Sequence, residues 1–353
     1  TAGTITVNGT LTPNINLSLN APFTINGSGT LTIPSGYSLT VNSNTTFSIP
    51  NISGAGTLSI SSGYTLTIST NIAFGISNIS GAGTINFGSY AITINGNETW
   101  SVSGLSGTGT LTINSGYTLT LGASYTFNFG SISGAGTLSI ASGYTLTIGV
   151  NATFSISNIS GAGTLSISSG YTLTVGTNST FSIPTVSGAG TLSVASGYTL
   201  TLSNVNLSVS NLGNGSVIAT ATSTTNKIQG ISILAGYTLT VYNTATITAD
   251  PAKNIFIPSG QTLTIGASIT TSSSDAYWAG AGTLSVASGY TLTQGGAITI
   301  SIANISVAGT WANAGYGITV PSGTVIIWNV TGSITTASTP GTLTVNGTCY
   351  WIG

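Results

Sequence analysis

The side chains able to do chemistry near neutral pH are few enough to name. Glu98, Asp250 and Asp275 are the carboxylates, Lys227 and Lys253 the amines, and Cys349 the only thiol; there is no His and no Arg. Glycoside hydrolysis needs two carboxylates within about 10 Å. Asp250 and Asp275 are the one pair whose spacing lets a repeating fold bring them close, and Lys253 is placed to neutralise Asp250 locally. A serine nucleophile has no His to activate it, which leaves a Ser–Lys dyad in principle only. One Cys and no His do not make a zinc site, and two lysines do not make a phosphate-neutralising groove. The expectation is therefore no catalytic residue, no metal, no cofactor, no enzyme activity and no nucleic acid.

Two candidate surface chemistries remain. N-x-S/T sequons stand at Asn8, Asn16, Asn26, Asn44, Asn51, Asn78, Asn97, Asn151, Asn158, Asn178, Asn206, Asn214, Asn304, Asn329 and Asn346. Each could carry an N-linked glycan, and sugars would keep a nearly uncharged body hydrated. Thr-x-Thr pairs recur at Thr65/Thr67, Thr118/Thr120, Thr145/Thr147, Thr172/Thr174 and Thr199/Thr201. They read as good outward strand residues, or as a flat ladder of the kind that binds ice.

A repeat positions these residues. A GxGT turn recurs at Gly27, Gly54, Gly81, Gly107, Gly134, Gly161 and Gly188; the spacing is constant except for the step from Gly81 to Gly107, which is one shorter. Within the unit from Gly54, three runs alternate with period two: Thr57–Ile60, Tyr64–Ile68 and Ala73–Ile76. Leu58, Ile60, Leu66, Ile68, Phe74 and Ile76 share one face; Thr57, Ser59, Thr65 and Thr67 share the other. Such alternation between Gly, Ser and Asn clusters marks half-buried strands. No segment has helical periodicity. The predicted fold is all-β, a β-solenoid with three strands per roughly 27-residue coil. Stacking at about 4.8 Å would then build two aromatic columns. One is Tyr37, Tyr64, Tyr90, Tyr117, Tyr144, Tyr171 and Tyr198; the other is Phe47, Phe74, Trp100, Phe127, Phe154 and Phe181. The rival is an antiparallel sandwich in which Leu58 and Ile60 pair with Leu66 and Tyr64 around a turn at Ser61–Gly63.

The chain divides into an N-terminal cap or donor strand (1–26), regular repeats (27–202), degenerate repeats (203–279), and a last regular repeat with an aromatic-rich C-terminal assembly segment (280–353). Its two ends resemble each other, GTITVNGT at Gly3–Thr10 and GTLTVNGT at Gly341–Thr348. Thr1, Gly3, Thr10, Trp311, Trp328, Cys349, Tyr350 and Trp351 are the assembly candidates. Stacked end coils, or a donated strand from Thr1 to about Pro13, would make a head-to-tail contact that does not close. Trp and Tyr suit such contacts, though they equally suit a plug for the last coil, and Cys349 is as readily a buried thiol as an intersubunit disulfide.

Units such as GAGTLSIASGYTLTI and GSGTLTIPSGYSLTV resemble the coils of secreted β-solenoid adhesins and autotransporter passengers. The uncharged Ser/Thr/Gly/Asn composition resembles the thread-like extracellular filament subunits of thermophilic archaea. The resemblance covers about residues 27–202 and 280–306. It implies a secreted, fibrous, often glycosylated protein at the cell surface, with itself as partner. A start at Thr1, without Met, suits a processed chain, and no apolar run is long enough for a membrane helix. The function expected is that of a structural filament subunit for adhesion, cell–cell contact or a protective matrix; the alternative is a monomeric adhesin stalk or a carbohydrate- or ice-binding module. With so few titratable groups, stability should vary little with pH.

Overall fold

A computed structural model describes residues 2–195 without a break, then 197–202, 205–213 and shorter stretches out to 352, the longest being 276–294 and 298–312. The regular structure of the described residues is β-strand, and the strands pair in parallel. The chain is a β-solenoid. The antiparallel hairpin does not form. Thr65–Ile68 instead pairs in parallel with 45–47 in the coil before it and 84–86 in the coil after.

Coil length departs from the expectation. Thr57 has Ser38 and Asn78 as its strand partners on the coils before and after. Ser131 likewise has Thr110 and Thr153. None of these offsets is as long as one sequence repeat. Side chains that bond from coil to coil show the same step, as between Ala91 and Asn71, which are 20 residues apart. A coil of that length contains three straight segments. The sequence repeat is longer because it contains four: 57–60, 65–68, 72–76 and 78–80 in the repeat from Gly54. A triangular coil closes after three sides, so the fourth segment begins the next turn. Three sequence repeats fill four coils, and one repeat per turn is not what forms.

Two compact units, Thr1–Ser166 and Ile167–Gly353, can be described separately. In the first, the short coils run from the pairing of Gly3–Thr6 with Phe23–Asn26 to that of Ser131–Ile140 with Ala152–Gly161. The second contains the degenerate repeats. Parallel pairing persists there, but the coils lengthen, so that Thr238 rests on Thr262 and Ile318 on Leu343.

The alternation sorts the side chains as expected. Leu58, Ile60, Leu66, Ile68, Phe74 and Ile76 are at most 1% exposed, each stabilised by about 1.5–3 kcal/mol on burial. Thr57, Ser59, Thr65 and Thr67 are half-buried on the outer face. The GAG corner lets consecutive coils touch. Gly54 has φ +111°, and a Cβ there would lie 2.1 Å from the Ile33 carbonyl oxygen. Three residue steps, Gly54 to Thr57, face only two, Ile76 to Asn78, in the next coil. The extra residue is a bulge that bends the strand around the corner.

Candidate functional site: hydroxyl faces and corner tyrosines

Because each regular coil of the first unit uses three of four segment types, a segment there lies on one of a different type. The outer face of the first unit shows the result. One column passes through Ser38, Thr57, Asn78, Thr99, Thr120 and Ser139 on successive coils. It is a mixed column of hydroxyls and amides, so the Thr-x-Thr pairs do not stack into one ladder. Neighbouring coils exchange hydrogen bonds along such columns, as between Thr32 Oγ1 and Ser53 Oγ (3.1 Å), Thr112 Oγ1 and Ser133 Oγ (3.1 Å), and the hydroxyls of Ser48 and Ser69.

The sequons fall into groups. Asn16, Asn44 and Asn97 are corner residues whose Oδ1 accepts the backbone N–H of Ser38, Thr65 and Thr118 in the following coil, at 2.9–3.0 Å. Asn here satisfies the first strand donor after an SGY turn, a role that composition alone does not reveal. Ser124 Oγ does the same for Thr145. Asn8, Asn51, Asn78, Asn151, Asn158 and Asn178 are exposed, while Asn26 and Asn304 are half-buried. Asn206 and Asn329 lie in strands Asn206–Gly213 and Val325–Val330. Asn214 and Asn346 fall outside the described residues.

Neither aromatic column forms. The Tyr64 carbonyl accepts the N–H of Thr84 (3.0 Å), and that of Tyr37 accepts Thr57 (3.1 Å); an SGY corner is thus covered by a GAG corner, not by another tyrosine. Tyr37, Tyr64, Tyr90, Tyr117, Tyr144, Tyr171 and Tyr198 are each 36–40% exposed. The second set is buried but alternates with aliphatic residues. Phe47 pairs with Ile68, Phe74 with Ile52 and Ile94, Trp100 with Ile79 and Leu121, Phe127 with Ile148, Phe154 with Ile132, and Phe181 with Leu202. Rings meet across the core instead. Phe87 stacks on Trp100 at 5.4 Å and contacts Phe74 at 6.2 Å, and Phe127 meets Phe129 edge-on at 5.3 Å. The sequence reasoning missed Phe87 and Phe129, whose positions in the repeat otherwise carry aliphatic residues.

Glu98 lies inside this aromatic cluster. It is 2% exposed, and its Oε2 accepts the Trp100 indole N–H at 2.9 Å. Burial pushes its carboxyl up from 4.5 to about 8, because the Trp100 indole and the Ile76 backbone favour the charged form less than desolvation opposes it. The carboxyl is therefore largely protonated at neutral pH, which runs against the expectation of a pH-insensitive chain. Tyr125 is also buried; its hydroxyl donates to the Val102 carbonyl at 3.0 Å, and burial pushes its phenol above the usual range. Asp250, Asp275 and Lys253 fall outside the described residues, and Lys227 lies in strand Asn226–Ile228. Among the described residues no three of His, Cys, Asp and Glu come together, and no helix is long and apolar enough to cross a membrane.

At the N-terminal edge, Gly3–Thr6, Thr10–Leu11 and Leu17–Leu19 pair on one side, with Phe23–Asn26, Thr30–Thr32 and Ser38–Val41. Their other edges have no strand partner among the described residues. Ile5, Leu11 and Leu17 are half-buried there, Ile15 is 63% exposed, and a recess of about 220 Å³ is lined by Ile5 to Leu11. Of the assembly candidates, Gly3 and Thr10 lie on this edge and Thr1 lies outside the described residues. Trp311 is fully buried in the core, not on an assembling surface. Trp328, Cys349 and Trp351 lie in strands Val325–Val330 and Thr348–Ile352, and Tyr350 is exposed. No protein-family model, curated protein or solved structure matches the chain.

Proposed function

We propose that this chain is the structural subunit of an extracellular filament that polymerises head to tail for adhesion, cell–cell contact or a protective matrix. The observation that carries the reading is the N-terminal edge. Three edge strands, each without a partner on its outer side among the described residues, present backbone donors and acceptors around an apolar rim, and such an edge pairs with further strands. The partner is a second copy, whose C-terminal strands would extend the same parallel stack. That contact is heterologous and does not close, so it grows into a fibre. An outer surface of hydroxyls and amides suits an exposed fibre, and N-linked glycans on the exposed sequons would hydrate it. Secretion and a cell-surface location belong to the same proposal, as does kinship with the thread-like fibres of thermophilic archaea.

The mixed hydroxyl columns favour a second reading, a monomeric stalk or carbohydrate-binding module; the ice-binding variant of it loses the flat Thr ladder it called for. Negative-stain microscopy of the purified chain separates the two. Long uniform fibres, lost when residues 1–13 are deleted, support the filament. Isolated short particles at all concentrations, or unchanged fibres from the truncated chain, overturn it. Intact mass above the bare 34.9 kDa would reveal the glycans.

A further inference from the structure

Among the described residues, Tyr37 to Tyr198 at seven repeats and Tyr290 occupy the same corner position, and all are 36–40% exposed. The fold accounts for the backbone at this position. At Tyr64, the N–H donates to the Ser61 carbonyl (3.2 Å), and the carbonyl accepts from Thr84. Any residue following a left-handed Gly63 (φ +80°) could make both bonds. The residue that accepts the turn bond does vary freely, being Pro34, Ser61, Phe87, Asn114, Ala141 and Ser168. At those same six corners the residue that follows is Tyr each time, its ring left partly in water, whereas the same turn at Gly323 carries Thr324. A ring recurring half-exposed at one corner of coil after coil offers an apolar face to a long partner that can reach several of them.

We infer that these corner tyrosines are stacking platforms for a neutral polysaccharide. An aromatic face packs against the apolar C–H face of a pyranose, and the Ser, Thr and Asn columns beside the corners supply hydrogen-bonding partners for sugar hydroxyls. A chain with five charged residues in 353 has little to offer a charged glycan. The mismatch between repeat and coil sets the geometry. Tyr37 is followed along its ridge by the Gly54–Gly56 corner, then 76–78, then Asn97, and then Tyr117. Tyrosines on one ridge are thus four coils, about 19 Å, apart at the strand spacing. Tyr64 and Tyr144, separated in sequence as Tyr37 and Tyr117 are, repeat the arrangement. Successive tyrosines step from ridge to ridge, so every side of the stack presents platforms. Each contact is weak, and a long polymer engages several at once.

The inference deepens the adhesive part of the proposed function by naming what is adhered to, and it can fail while filaments still form. The test is co-sedimentation of the full chain with cellulose, chitin and mannan, with fibre formation scored separately by microscopy. Binding to at least one is expected. The fourfold variant Tyr37→Ala, Tyr64→Ala, Tyr117→Ala, Tyr144→Ala should bind about 10-fold or more weaker. The matching Tyr→Phe variant, which keeps the rings, should stay within about twofold of wild type. Far-UV circular dichroism and the unfolding midpoint identify a misfolded Ala variant; each single Tyr→Ala would then be measured instead, and each should weaken binding. No binding to any of the three polysaccharides, or full binding by the folded fourfold Ala variant or by every single Tyr→Ala variant, overturns the inference.

Discussion

Glu98 makes the stability of this chain depend on pH in an unusual direction. Its carboxyl titrates near 8 when folded and near 4.5 when exposed. A carboxyl whose folded pKa is raised holds its proton more tightly in the native state. Stability is then fully present below about pH 4.5, falls as pH rises toward 8, and levels off above it. The gap of about 3.5 units, at 1.36 kcal/mol each, makes the chain about 5 kcal/mol less stable at pH 9 than at pH 4. Glu98→Gln keeps the shape and can still accept the Trp100 indole N–H, but it does not ionise. Denaturant unfolding, followed by tryptophan fluorescence, should give a wild-type midpoint that declines from pH 4 to pH 9 and a variant midpoint that stays flat. The two should agree within about 1 kcal/mol at pH 4 and diverge at pH 9, with the variant the more stable. Glu98 is the only glutamate, so selective carboxyl labelling gives one NMR resonance to titrate. A resonance that titrates near 4.5, or a wild-type chain no less stable at pH 9, would refute the reasoning.

Two substitution series test the corners and the core by thermal unfolding. Gly54→Ala forces a side chain into a left-handed backbone and onto the Ile33 carbonyl, and should cost more than about 3 kcal/mol; Gly63→Ala at φ +80°, with open space around the new Cβ, should cost only about 1–2 kcal/mol. Phe74→Ala removes a fully buried ring that touches both Phe87 and Trp100, and should cost about 3–5 kcal/mol.

Much of the fold was legible because alternation is a local signal. Leu58 and Thr57 declare their faces by spacing alone, and GxG declares the corner. The coil length was not legible, because repetition reports how the sequence recurs, not where the chain closes on itself. Closure depends on how many straight segments fit around the core. Counting the short NIS run at 78–80 as a segment in its own right would have revealed the fourth side. The supposed aromatic columns failed for the same reason, since residues one repeat apart are separated by one and a third turns. Glu98 was legible as a carboxylate, but its burial was not, because it depends on the surrounding rings: Phe74 and Phe87 come from other segments, and only closure brings them to Trp100.

The same mismatch makes a counterintuitive prediction about length. Deleting 134–160 removes one sequence repeat but one and a third coils. The following GAGTLSI at Gly161–Ile167 then occupies the place of Gly134–Ile140. Its corner would meet Ile113 and Tyr117 as Gly134 and Gly136 do now, and every later segment would still rest on the type it rests on today, turned by one side. Deleting 137–157 removes one geometric coil, since Asn158 is the strand partner of Thr137. Yet it sets the Gly161–Gly163 corner over 121–123, the partner of the lost Ile140 corner, where no SGY turn waits. The bonds from Gly163 N–H to Ile140 and from Thr164 N–H to Tyr144, both 2.9 Å, would lose their acceptors, at about 1–3 kcal/mol for each donor left buried and unmet. The larger deletion should therefore be the better tolerated. Its unfolding midpoint should stay near wild type, while that of the smaller deletion falls by about 2–6 kcal/mol of stability. Equal stability of the two, or a reversed order, would mean that segment type does not matter to stacking and that any coil can rest on any other.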